Sequence, residues 1–194
     1  MMNDVVFAET DRLLIRKLKR SDRKLVEKLN DECSPIKEDD EYGGLNKLYH
    51  KILWRETKSS DTVQGLLFLR SDGAFVGKIS ISIGEDGLPE LGLDIMEAYR
   101  NNGYGPEAVI AFCNWYAAEY HTDTLKVRAK EDNVHSIHVL EKLGAEFVMM
   151  TTAMSDDFIK MVKASVPDMD FWDLTTKNIR EYRLHIPIET SDKS

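Results

Sequence analysis

The sequence predicts an α+β fold, in which a mixed, mostly antiparallel sheet of about seven strands is flanked by helices. Three observations lead there. Short alternating segments fill much of the first half, and one pair is joined by Ser71-Asp72-Gly73, a hairpin turn. Two segments with helical periodicity and clear end signals, 106–119 and 133–143, lie in the second half. The 194 residues, 42% hydrophobic and 31% charged, suit one globular domain spanning 1–194 with its own core.

The elements follow in order. Residues 12–18, RLLIRKL, alternate imperfectly and fit a first strand. Ser21 can cap a helix over 22–30, whose Leu25, Val26 and Leu29 share a face. Residues 31–42 form a loop with six carboxylates and one lysine. A second helix is expected over 43–57, with Leu45, Leu48, Tyr49, Ile52 and Leu53 on one side. Residues 64–70 and 74–83 make the hairpin, and 90–96, ELGLDIM, a fourth strand. The helix 106–119 has Pro106 at its first position and Glu107 in its first turn. Residues 124–130, TLKVRAK, alternate as a half-buried strand, and the helix 133–143 stops at Gly144. A strand over 147–151 follows. Residues 152–179 are less regular, with Ser155 as a cap for a short helix over 156–163. A last strand covers 180–188, with Pro187 marking an edge or strand end.

Composition narrows the function. The net charge of −8 argues against binding a nucleic-acid backbone and fits a cationic substrate. No apolar run approaches the roughly eighteen residues a membrane span needs. The opening MMNDVVFAETDRLL has no basic region followed by an apolar stretch, so it does not read as a secretory signal. Cys33 and Cys113 match no metal spacing, and a reducing, cytoplasmic location is the simplest reading. His135 and His138 stand three apart on one helix, but no Cys or carboxylate spacing completes a metal site.

The stretch YRNNGYGPEA, 99–108, asks for an explanation. GYGPEA fits the dinucleotide pattern G-x-G-x-x-A, whose small residues let amides approach a pyrophosphate at a helix N-terminus. A dinucleotide-binding domain would place the glycines after an early strand, with an acid ending the next strand. Here they follow the fourth strand, and Asp123 precedes the next one. No G-K-[ST] follows, so a P-loop is excluded. A plain strand-to-helix turn is the simplest local reading.

Three stretches in order carry a resemblance. Arg100-Asn-Asn-Gly103-Tyr-Gly105 resembles the R/Q-x-x-G-x-G/A acetyl-CoA signature of the GNAT superfamily of N-acetyltransferases. NVHSIHVLEKLGAEF, 133–147, resembles the N-x-x-S-x-x-V-L-E-K-L-G-x-x-F segment of the subgroup that includes ribosomal-protein N-terminal acetyltransferases. TDRLLIRKL, 10–18, resembles that subgroup's first strand. Together they cover most of 10–151, and 152–179 stands outside as a variable insertion. The resemblance implies a fourth and fifth strand that splay apart around the cofactor arm. Backbone groups near Ile95 and Met96 would pair with that arm. Amides from Asn101, Asn102, Gly103, Tyr104 and Gly105 would hold the pyrophosphate, Arg100 would add charge or order the loop, and Asn133 would touch the arm. Each also has a plain reading: Ile95 and Met96 as core, Arg100 as a surface pair, Asn133 as a helix cap.

The implied reaction is direct acetyl transfer from acetyl-CoA to an amine, with coenzyme A as product. A lysine-like amine has a pKa of about 10.4 and an α-amine about 7.7–8, so a proton acceptor is needed. Glu90 and Asp94 share one face of the fourth strand, with Gly92 leaving room between them. Glu90 matches the acid that often opens this strand in the subgroup and is the first candidate for base. Asp94 could be a second carboxylate for a cationic acceptor, or simply part of a solvated face. The tyrosine that many superfamily members use as acid is replaced by Leu140, so Ser136 is the candidate donor to the leaving sulfur, or a surface serine. The position where some relatives carry a glutamate base is Arg128. Glu38-Asp39-Asp40-Glu41 could attract a polyamine, aminoglycoside or basic peptide, though a solvated loop is the plainer account. The insertion, with Phe171-Trp172, is expected to cover the acceptor mouth.

Three functions therefore compete. The first is an acetyl-CoA-dependent N-acetyltransferase acting on a protein N-terminus or a small cationic amine. The second is a CoA-holding module of the same fold without catalysis, and the third a nucleotide-binding oxidoreductase. Strand edges late in the chain could pair two copies into a homodimer.

Overall fold

The computed structural model describes residues 5–33, 54, 60–84, 86–152 and 176–189. The expected helix at 43–57, the acidic run at 38–41 and nearly all of the 152–179 insertion, with its short helix, lie outside the described residues. The chain divides into two compact units, Met1–Asp123 with Ile186–Ser194, and Thr124–His185. No helix of the described residues is long and apolar enough to cross a membrane.

In the first unit, five strands pair antiparallel in chain order: β1 (Val6–Glu9), β2 (Leu13–Lys17), β3 (Thr62–Leu69), β4 (Phe75–Ile83) and β5 (Pro89–Ile95). The β3–β4 turn forms at Ser71-Asp72-Gly73 as expected. Gly73 has φ 74°, its N–H donates to the Leu69 carbonyl, and the Asp72 carboxylate accepts the Ala74 N–H. Alternation sorts this sheet into two faces. Leu13, Ile15, Leu67, Ile79, Ile81 and Leu91 are buried on one, against the long helix α2 (Tyr104–Tyr120). A Cβ on Gly65 would stand 2.8 Å from Ile15 Cγ2 and 3.4 Å from the Phe112 ring, so the helix closes directly on the strands there. On the opposite face Gln64, Lys78, Ser80, Ser82, Glu90, Gly92 and Asp94 form a polar grid, in register from strand to strand.

The helix α1 (Arg23–Cys33) joins that second face, and a buried ion pair anchors its start. Arg16 on β2 donates from Nη1 to Asp22 Oδ2 at 2.8 Å and from Nη2 to Oδ1 at 2.9 Å, while its guanidinium lies 4.5 Å from the Phe68 ring centre. Asp22 Oδ2 also accepts the Lys19 N–H at 2.8 Å. Asp22, not Ser21, therefore orders the helix start. Ser21 sits inside a one-turn 3-10 helix, Arg20–Asp22, that leads into α1.

In the second unit, β8 (Ile179–His185) lies between β6 (Thr124–Lys130) and β7 (Glu146–Thr151), antiparallel to both. Leu125, Val127, Tyr182 and Leu184 are buried, and the Phe147 ring meets Tyr182 at 5.8 Å. The helix α3 (Val134–Lys142) ends as predicted: Gly144 has φ 81°, its N–H donates to the Glu141 carbonyl, and the Ala145 N–H reaches back to Leu140.

Several features differ from expectation, among them the end of α1, which runs to Cys33 into the segment expected as a loop. Among the described residues there are eight strands, one more than the segments expected: β1, VFAE, is too short to show a period, and its register with β2 shifts between Val6 and Ala8. The long helix opens at Tyr104, so Pro106 is its third residue and not its first. That costs nothing, because the first four N–H groups of a helix have no intrahelical acceptor. The last strand stops at His185, before Pro187, and the chain returns to the first unit, where Asn114 holds Ile188 through both its backbone groups.

Burial opposes ionisation of Asp22, but hydrogen bonds from Arg16 and the Lys19 amide, with the charge of Arg16, outweigh it and lower its pKa below the usual carboxylate value. Its folded pKa is depressed, so the stability it contributes is present above the unfolded value near 3.8 and is lost as pH falls through the folded pKa. Asp22→Asn is expected to cost about 3 kcal/mol at pH 7 by removing the carboxylate charge that faces the buried Arg16 guanidinium. Urea unfolding at several pH values checks this: the gap to the wild type stays constant down to about pH 4 and narrows below it.

Candidate active site

The polar face of β5 carries the first group of candidates. Glu90, Gly92 and Asp94 lie opposite Ser82, Ser80 and Lys78 on β4. Asp94 is not an isolated carboxylate. Lys78 Nζ lies 3.2 Å from Asp94 Oδ2, with the lysine mostly covered and the aspartate 39% exposed. Glu90 stands four residues away, about 13 Å along the strand at 3.3 Å per residue. Gly92 lies between them, and a Cβ there would come 3.1 Å from Ser80 Oγ. Among the described residues, the buried Oε1 of Gln64, opposite Ser80, has no hydrogen-bond partner.

The second group lies where β5 ends. The Met96 N–H donates to the Val76 carbonyl at 2.9 Å, and the Met96 carbonyl accepts the Tyr99 N–H. In an antiparallel pair this turns the amide and carbonyl of the preceding residue, Ile95, away from β4. Ile95 therefore presents its backbone outward, whereas both backbone groups of Met96 are engaged and its side chain is buried. Arg100 orders the loop: its Nε donates to the Ile95 carbonyl at 2.9 Å and its Nη2 lies 3.5 Å from Cys33 Sγ at the end of α1.

The loop itself has an unusual backbone. Asn101 has φ 61° and Gly103 φ 79°, both left-handed, and Gly103 opens the 17-residue α2. Left-handed residues interleaved with ordinary ones turn successive N–H groups into one concavity, which suits an anion. The helix N-terminus adds its partial positive charge. Asn102 closes the turn through Nδ2 to the Arg100 carbonyl, and a Cβ on Gly105 would meet Leu93 at 3.4 Å, which keeps the helix tight on β5.

The third group is on α3. Asn133 is its cap, and its Oδ1 accepts the Ser136 N–H at 3.1 Å. Ser136 is half-buried in the first turn. Leu140 is buried core, Arg128 exposed on β6, and His135 and His138 are exposed. No cluster of three His, Cys, Asp or Glu suited to a metal occurs among the described residues. Burial and the Asp94 charge push the Cys33 thiol up despite Arg100, and burial pushes Cys113 up to about 12. Both thiols are thus protonated and poor nucleophiles near neutral pH.

Arg12 and Lys78 were not singled out in the sequence, and Cys33 was weighed there only for metal spacing and redox location. Lys78 could have been found by placing β4 beside β5 in register. Arg12 contacts residues 90 or more positions away, which no local pattern shows.

A family model described as an acetyltransferase (GNAT) domain matches residues 12–146. No curated protein sequence matches the chain. Solved structures match in fold. A mutant of the spermidine N-acetyltransferase SpeG from Vibrio cholerae superposes with a TM-score of 0.65 at 11% identity, covering 91% of this chain and 95% of that one. The same enzyme in complex with CoA and spermine gives 0.61 at 12%, over 91% and 96%. A protein put forward as a ribosomal-protein-serine acetyltransferase from Vibrio cholerae gives 0.62 at 14%, over 95% and 98%.

Replacing the α3 cap tests its local role. Asn133→Ala is expected to lower stability by about 1 kcal/mol, and Asn133→Asp to keep most of it. Thermal unfolding followed by circular dichroism reads the difference.

Proposed function

We propose, on the premise that the chain belongs to the GNAT acetyltransferase family, that it uses acetyl-CoA to acetylate a primary amine by direct attack. The observation that carries this is the loop Arg100–Gly105, with left-handed Asn101 and Gly103 at the mouth of α2. Its amides, its two glycines and the helix end suit the negative charge of a pyrophosphate. Asn101, Asn102, Gly103, Tyr104 and Gly105 would hold that group, with Arg100 keeping the loop in shape. The outward N–H of Ile95 suits pairing with the amide-bearing arm of the cofactor better than Met96 does, while the Ile95 carbonyl accepts from Arg100. Asn133, already a cap, is the further residue that the resemblance assigns to the cofactor. When bound, the cofactor supplies an activated acetyl thioester.

The chain's own residues then have separate tasks. Glu90 takes the proton that the attacking amine must lose, directly or through water. Ser136 donates a hydrogen bond to the departing sulfur, a modest demand for a thiol with a pKa of about 8.5. Asp94, steadied by Lys78, orients a cationic acceptor over the Gly92 gap. The protonated state of both cysteines supports direct transfer over an acyl-cysteine intermediate. The acceptor is a protein N-terminus or a small cationic amine; the structural neighbours include a spermidine N-acetyltransferase and a protein put forward as a ribosomal-protein-serine acetyltransferase.

Thiol release from acetyl-CoA across a panel of polyamines, amino acids, aminoglycosides and N-terminal peptides tests the proposal. At least one amine should turn over. Glu90→Gln should then lower kcat about a hundredfold and Ser136→Ala about tenfold, with KM for acetyl-CoA within about twofold. Cofactor binding without release for any amine would instead make the chain a CoA-holding module, and full activity of Glu90→Gln would place the base elsewhere.

A further inference from the structure

The turn between β1 and β2 reaches the mouth of α2 through one side chain. Arg12 Nη1 donates to the Asn102 carbonyl at 3.0 Å, and Arg12 Nε donates to Glu107 Oε2 at 2.7 Å. Nη2 pairs with the same carboxylate and lies 3.4 Å from where a Gly103 Cβ would be. The guanidinium also lies 4.7 Å from the centre of the Tyr104 ring. Thr10 Oγ1 donates to the other Glu107 oxygen, and Arg70 fixes the turn from behind by donating to the Thr10 carbonyl at 2.7 Å. One arginine thus touches the carbonyl, the glycine, the aromatic ring and the acid of 102–107.

These contacts carry a consequence for the anion site. Glu107 suits the helix dipole while the site is empty, because a carboxylate in the first turn is stabilising. It also places a negative charge beside the position proposed for a pyrophosphate. Like charges within a few ångströms repel unless a counter-charge lies between them. Arg12 supplies that charge, and by holding the Asn102 carbonyl it keeps an oxygen from turning toward the anion. It is partly exposed, so its charge remains open to a ligand.

We infer that Arg12 is a positioning residue for cofactor binding: it cancels the charge of Glu107 and holds the Asn102 carbonyl aside, so that the loop amides face an anion. This rests on the reading of Arg100–Gly105 as a pyrophosphate loop. It acts on the cofactor and not on the acceptor, so its loss should appear in one KM and not the other.

The experiment is calorimetry of acetyl-CoA with the full chain, paired with steady-state kinetics on the best amine. Arg12→Ala should weaken acetyl-CoA binding about tenfold and leave the amine KM within about twofold. Glu107→Gln should tighten binding, since Arg12 then faces the anion unopposed. The double variant should bind within about threefold of the wild type, because the charge that Arg12 cancelled is gone. A merely structural clamp would instead give losses that add, and additive losses would overturn the inference. So would unchanged binding by Arg12→Ala. If that variant does not fold, Arg12→Lys keeps the charge without the fork and should bind about threefold more weakly, while unchanged binding by it together with no gain in Glu107→Gln overturns the inference. Failure of the wild type to bind acetyl-CoA at all would overturn the reading of the loop and this inference together.

Discussion

The register of β4 against β5 is the constraint on which the candidate site depends. Gly77 faces Ile95 so closely that a Cβ there would stand 2.2 Å from the Asp94 carbonyl oxygen. Only glycine permits that approach. From Gly77–Ile95 to Ser82–Glu90 the pairing then runs without a break. It puts Leu91 and Leu93 toward α2 and Glu90, Gly92 and Asp94 on the other face. A slip of one residue would exchange the core for the polar grid, so burial of the apolar face fixes the site as firmly as it fixes the fold.

The same strand determines where the loop begins. Met96 spends both backbone groups on its neighbours, and Ile95 is left turned outward. The chain then makes one 3-10 turn at Glu97–Tyr99 and passes through two left-handed residues into α2. Arg100 pins the loop to Ile95 and to the end of α1, while Arg12 pins its far side to the turn between β1 and β2. A loop held from both sides is preorganised, and a preorganised anion site loses less entropy when it binds.

Much of this was legible in the sequence. The hairpin turn, β5, β6 and the cap-to-glycine span of α3 came from local signals: alternation, turn residues, Asn133 and Gly144. The order Arg100-x-x-Gly103-x-Gly105 followed by NVHSIHVLEKLG thirty residues on pointed to the family. What escaped was non-local. β1 is too short to show a period, and Asp22 took the capping task from Ser21 because Arg16, six residues back and on another element, holds it there. Lys78 changes the meaning of Asp94 from a lone carboxylate to half of an ion pair. Arg12 was read only as part of a strand motif, because its partners Asn102 and Glu107 are brought to it by the fold.

The central claim is that Asn101–Gly105 is the anion cradle of an acetyl-CoA site. Amide hydrogen exchange of the full chain, with and without acetyl-CoA, tests it most directly. The account predicts that the cofactor slows exchange most strongly at the amides of residues 101–105. Acetyl-CoA binding that leaves those amides exchanging as in the free protein would contradict it.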